Sequence, residues 1–215
     1  MVNHTRALTL LSALFIAVPA QGVVAQVATV SKGDVSMDRL NAETLRVGMR
    51  KLWADHVIWT REYIANAIGE DGNADAAAAR LMKNQEDIGN AVVPYYGKEA
   101  GAKLTGLLKE HITIATEVVG AAKARDNAKL ADADKRWKGN ATDIATFLSG
   151  ANPNWPKAEL EKMLNEHLAL TTQEATARLE KNWTRDVETF DKIFDQAMHM
   201  ADALTDGIVK QFPNK

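Results

Sequence analysis

Three of the five histidines sit in one recurring pattern. The segments Leu52-Trp-Ala-Asp-His56-Val-Ile-Trp-Thr60, Leu107-Leu-Lys-Glu-His111-Ile-Thr-Ile-Ala115 and Met163-Leu-Asn-Glu-His167-Leu-Ala-Leu-Thr171 each read aliphatic, two residues, acid, His, aliphatic, variable, bulky apolar, small. The histidines are 55 and 56 residues apart. A period of that length is one supersecondary unit copied along the chain. Three neutral imidazoles around a common axis can hold a divalent transition metal ion and leave a coordination position open, with Asp or Asn as further ligands or orienting partners.

Such partners repeat as well. Arg80-Leu-Met-Lys-Asn84-Gln-Glu-Asp87-Ile88 aligns with Arg136-Trp-Lys-Gly-Asn140-Ala-Thr-Asp143-Ile144 at an offset of 56. The predicted metal set is therefore His56, His111 and His167, supported by Asn84, Asp87, Asn140 and Asp143. In the third unit Asp195 or Asp202 is expected where the Asn stood. The spacing leaves a second reading open: each imidazole bonds inside its own helical hairpin, satisfying a buried polar group and fixing helix register. The rings converge only if the hairpins share an axis. A third option, an Asp-His acid/base pair such as Asp87 with His56, lacks both a nucleophile and an oxyanion-stabilising element.

The elements that position these residues are helical throughout. From Asp38, Leu45, Met49, Leu52, His56, Trp59 and Tyr63 follow spacings of three and four, which makes one apolar stripe. Gly69, Gly72 and Asn73 end this helix. The second starts at the Ala76–Ala79 run and is expected to stop near Val93, because Pro94 disfavours helix at the residue before it. Further helices run from Lys98 to about Arg125, through Trp137 to Gly150, from Pro156 through His167, and through Phe190 to Pro213. The predicted fold is all-α, a six-helix bundle or array of three hairpins of about 55 residues, covering 38–93, 98–150 and 156–213. All three histidines fall on apolar stripes, so their rings should point inward.

Arg6 followed by the apolar run Ala7 to Val18 and small residues up to Ala25 reads as a cleaved signal peptide, residues 1–25. Residues 26–36 read as a flexible leader, and the rest as one domain. Removing Arg6 with the signal leaves 25 Lys+Arg against 28 Asp+Glu, a formal charge of −3. The expected product is periplasmic or secreted, with no membrane span. Near-neutral charge argues against a nucleic-acid partner. The absence of cysteine excludes disulfides, thiolate metal sites and cysteine nucleophiles. Glu-x-x-His, paired histidines at i and i+4, Gly-rich phosphate loops and a Gly-x-Ser-x-Gly elbow are absent too. His199, between Met198 and Met200, is expected at an edge. Tyr95, Tyr96 and Trp155 are expected to close the bundle ends.

The segments His56-Val-Ile-Trp-Thr-Arg61, Asn84-Gln-Glu-Asp-Ile-Gly-Asn90, Pro94-Tyr-Tyr-Gly97, Asn152-Pro-Asn-Trp-Pro156 and Ile208-Val-Lys-Gln-Phe-Pro213 resemble a family of exported bacterial helical proteins. The resemblance implies export and an all-α fold. Members of that family carry labels such as glycosyltransferase or acetylglutamate kinase, but the nucleotide-binding loop and α/β pattern that either would need are missing. The expected function is that of an exported, non-enzymatic binding protein that holds a transition metal or small ligand through its core histidines. The alternative is a structural or interaction module of the cell envelope.

Overall fold

Helical periodicity is nearly unbroken from residue 37 onward, and the chain follows it. The computed structural model describes residues 37–69 and 72–213; the expected signal peptide and leader lie outside the described residues. Five helices make up the body: α1 (Met37–Gly69), α2 (Ala74–Ala124), α3 (Asn127–Ala151), α4 (Lys157–Leu179) and α5 (Trp183–Gln211). Among the described residues there is no strand.

The helix ends have local causes. Asp126 and Asn182 cap α3 and α5 by accepting from the backbone N–H of Lys129 and Arg185, each at 3.1 Å. Arg125 adopts the left-handed conformation that closes α2, returning its N–H to the last turn. Pro156 stands immediately before α4, where a missing N–H is harmless.

The expected break at Val93 does not occur. The helix runs through Pro94, and the departure from helical geometry comes at Gly97, with φ 85° and ψ 168°. Proline only biases the residue before it, whereas backbone at positive φ strongly favours glycine. Beyond Gly97 the helix returns along its own first half. A methyl on Gly89 would lie 2.7 Å from the Gly101 carbonyl, and one on Gly101 equally close to that of Gly89. Two hydrogen-only residues thus permit backbone contact between the halves of α2.

Each helix packs on its chain neighbours, and α1 closes the circle against α5. On α1 the buried positions are Met49, Trp53, His56, Val57 and Ile64, while Leu45, Leu52, Trp59 and Tyr63 are only half-buried. The stripe is broader and rotated because α1 is covered from two sides, by α2 and α5. One end of the bundle is plugged as expected. Tyr96 Oη donates to Gln211 at 2.9 Å and accepts from the buried Asn152 at 2.8 Å, and the Trp155 indole lies against Gly207.

Candidate functional site

His56 on α1, His111 on the second half of α2 and His167 on α4 project into the interior, with exposures of 2%, 4% and 3%. Their rings meet. The His56 and His167 ring centroids are 5.6 Å apart, and those of His111 and His167 are 6.4 Å apart. The polar layer is bounded by apolar residues on both sides. Below it, Met49, Leu108, Leu164 and Leu204 line an apolar cavity of about 30 Å³; above it, Ile64, Ile112, Val119 and Ala175 surround a second of about 20 Å³.

Each ring has an amide opposite it. Asn84 Nδ2 donates to the Leu52 carbonyl, Asn140 Nδ2 to that of Leu107, and Gln196 Nε2 to that of Met163, all at 3.0 Å. In every case the acceptor lies four residues before the histidine, so it is the carbonyl that the helix already uses. A carbonyl has two lone pairs and accepts both bonds. Binding this carbonyl commits the amide nitrogen and leaves the amide oxygen as an acceptor.

That fixes the state of His111. Its Nδ1–H donates to Asn140 Oδ1 at 2.9 Å, and its Nε2 accepts from the Trp137 indole N–H at 3.2 Å. Both ring nitrogens are satisfied in the neutral form. His56 is held differently. Its Nδ1 lies 3.3 Å from Gln85 Nε2, and that nitrogen also donates to the Leu81 carbonyl and to Asn84 Oδ1. The Gln85 amide has two hydrogens for these three acceptors, so it does not fix which His56 nitrogen carries the proton. His167 is held less closely: Gln196 is its side-chain partner, but the His167 Nδ1 and the Gln196 Oε1 make no close hydrogen bond. Gln85 Oε1 and Trp53 Nε1 are unpartnered too, and the Trp53 ring is 5.5 Å from that of His56. Buried polar atoms in folded proteins are seldom left so.

Burial is the main influence on all three titrations. It pushes His111 down to about 3 and His167 down to about 4, against hydrogen bonding from Asn140 and Gln196. His56 is lowered well below the ordinary imidazole value, first by burial and then by the two neighbouring rings. All three are neutral at pH 7 and keep their lone pairs.

The predicted site residues therefore separate. The three histidines come together with Asn84 and Asn140 at their sides. Asp87 and Asp143 do not join them. Asp87 is half-buried and pairs with Lys83 at 2.6 Å, and Asp143 is exposed. Each aspartate follows its asparagine by three residues, and that rotation carries it off the inward face. The proposed Asp87–His56 acid/base pair is accordingly not formed.

In the third unit neither Asp195 nor Asp202 takes the amide's place. Asp195 is exposed, and Asp202 pairs with Arg46 and Arg50. Gln196 occupies that position. The 56-residue offset from Asn140 pointed to it, but the change of residue type masked the match. Gln85 and Trp137 carried no such signal, because neither recurs in the other units. Thr60 and Thr171 bond back to the carbonyls of His56 and His167, as their spacing suggests.

Sequence reasoning also missed a buried ionic cluster. Arg61 of α1 bonds Glu174 of α4 and reaches Asp186 of α5 at 2.9 Å, while Arg178 approaches Asp186 at 3.2 Å. Glu174 and Asp186 are almost fully buried. Burial pushes Glu174 up to about 7, although Arg61 pulls it down.

Comparison with protein-family models, curated proteins and solved structures gave no match.

Proposed function

We propose that this chain is an exported, non-enzymatic binding protein built from three copies of a helical hairpin, and that it holds one divalent transition metal ion in the histidine layer. The carrying observation is the His56–His167 pair: two neutral, buried imidazoles with ring centroids 5.6 Å apart and an unpartnered nitrogen on one. A metal–nitrogen bond of about 2.1 Å places an imidazole centroid roughly 3 Å from the ion, so two rings at a tetrahedral angle have centroids roughly 5 Å apart. The observed separation needs little adjustment to reach that value. His167 and His56 are the primary ligands in this reading, and the Gln196 and Gln85 amide oxygens supply further donors. His111 would have to surrender a bond to Asn140 or Trp137, so it orients the pair. The triplicated amide-to-carbonyl bond at 3.0 Å supports the hairpin repeat.

The test is elemental analysis and Co²⁺ titration of the mature protein purified without a His-tag, beside His56→Ala, His111→Gln and His167→Ala. One equivalent is expected in the parent and in His111→Gln, and none in the two alanine variants. No bound metal and no metal-dependent change in Tm would reject the reading. The mass of the secreted product tests export; cleavage after Ala25 leaves residues 26–215.

The saturated bonding of His111 favours a second reading for that residue alone. Its imidazole acts as a register-fixing hydrogen bonder, which predicts that His111→Gln lowers stability while metal stoichiometry holds.

A further inference from the structure

We infer that the buried ion cluster joining α1, α4 and α5 is a proton-operated latch on the first turns of α5. Protonated Glu174 keeps that segment docked, and ionised Glu174 releases it. The latch does not depend on the metal reading above.

The segment has a single buried side chain. From Glu180 to Glu188 every residue is exposed except Asp186, which is 2% exposed. Trp183 and Val187 are 58% and 53% exposed, so apolar burial contributes little there. The turn before α5 carries Lys181 at φ 57°, a left-handed conformation unfavourable for a residue with a Cβ. Ion pairs therefore hold these turns in place. Asp186 accepts from Arg61 Nη1 and Nη2 at 3.2 and 2.9 Å, and Arg178 approaches it at 3.2 Å.

Glu174 competes for the same guanidinium. Arg61 Nη1 donates both to Glu174 Oε1 and to Asp186 Oδ1, which brings two almost fully buried carboxylates onto one nitrogen. The charged groups acting on Glu174 are Arg61 of α1, Arg178 of its own helix and Asp186 of α5; α2 and α3 supply none of them. Like charges held this close disfavour double ionisation. With a proton on Glu174, Arg61 is committed to Asp186 through both Nη atoms, a bidentate pair. Once that proton leaves for water, Glu174 draws Nη1 away and repels the Asp186 carboxylate. Burial pushes Glu174 up to about 7 in the closed form, and exposure returns it to the ordinary carboxylate range. Opening therefore rises with pH between those two values, whereas global unfolding driven by the buried imidazoles rises as pH falls.

Amide hydrogen exchange of the full protein at pH 5.5 and 7.5, corrected for intrinsic rates, tests this. Opening of residues 185–190 should be about twentyfold greater at pH 7.5, from the gap between the two carboxyl values. Core amides of α2, which report global opening, should not follow that rise. Glu174→Gln, which mimics the protonated form, should keep the segment closed at both pH values. Glu188→Gln, on the exposed face, should retain the parent's dependence. A carboxyl ¹³C titration of Glu174 in the parent gives a second readout, with a midpoint of about 7 expected. An ordinary carboxylate midpoint, pH-independent exchange in the parent, or a dependence that survives Glu174→Gln would overturn the latch.

Discussion

Acidification between pH 6.5 and 5 should cost this protein more stability than it costs most helical bundles. The unfolded chain carries ordinary imidazoles that protonate near pH 6.5. In the fold, His111 resists protonation until about 3 and His167 until about 4. Between those values and 6.5 the unfolded state binds two more protons than the native state, so stability falls as pH drops. Each excess proton is worth about 1.4 kcal/mol per pH unit. These two rings thus contribute a slope of about 2.7 kcal/mol per unit, and His56, also shifted down, adds in the same direction. Glu174 opposes them. Its folded value of about 7 lies above its unfolded one, so it takes up its proton more readily in the fold and returns about 1.4 kcal/mol per unit across the same window. The net loss is about 1 to 3 kcal/mol per unit, a large share of a total stability of about 5–15 kcal/mol. Urea unfolding followed by circular dichroism at pH 7.5, 6.5, 5.75 and 5 measures it directly. A flat profile from 6.5 to 5 would refute the claim that the imidazoles are buried and neutral. With Glu174→Gln in the background the slope should steepen by about 1.4 kcal/mol per unit.

Other perturbations address separate parts of the argument. Arg61→Leu leaves two buried carboxylates short of a partner and should cost about 3–5 kcal/mol at pH 7.5 by urea unfolding, with much of the loss recovered by Glu174→Gln in the same chain. Trp137→Phe removes the donor to His111 Nε2 and should cost about 1–3 kcal/mol, while the nitrogen shifts of His111 report an unpaired Nε2 by NMR. Gly89→Ala forces a methyl to within 2.7 Å of the Gly101 carbonyl and should lower Tm by several degrees, whereas Gly106→Ala, with open space around it, should be neutral or stabilising. Metal binding should weaken as pH falls, because protons compete for the same lone pairs; His167's lowered value should hold the half-loss point down to about pH 4 in a Co²⁺ titration.

The all-α fold and the inward direction of the three histidines were legible from residue spacing alone. A period near 3.6 states which side chains share a face, and this depends only on the local backbone. The same logic placed Asn84 and Asn140 beside their rings, and the 56-residue offset extends to Gln196. Local pattern does not tell which of two side-chain oxygens, three residues apart, faces the neighbour, and so it does not separate Asp87 and Asp143 from Asn84 and Asn140. The convergence of the rings was decided by tertiary structure, because helix periodicity says nothing about how far apart two apolar faces will lie. Closure of α1 against α5 and the reversal at Gly97 bring those faces around one interior. The contacts of the rings are likewise set across helices, by Trp137 on His111, Gln85 on His56 and Gln196 on His167. Hydrogen bonds act over about 3 Å, a distance that only packing can set for residues tens of positions apart.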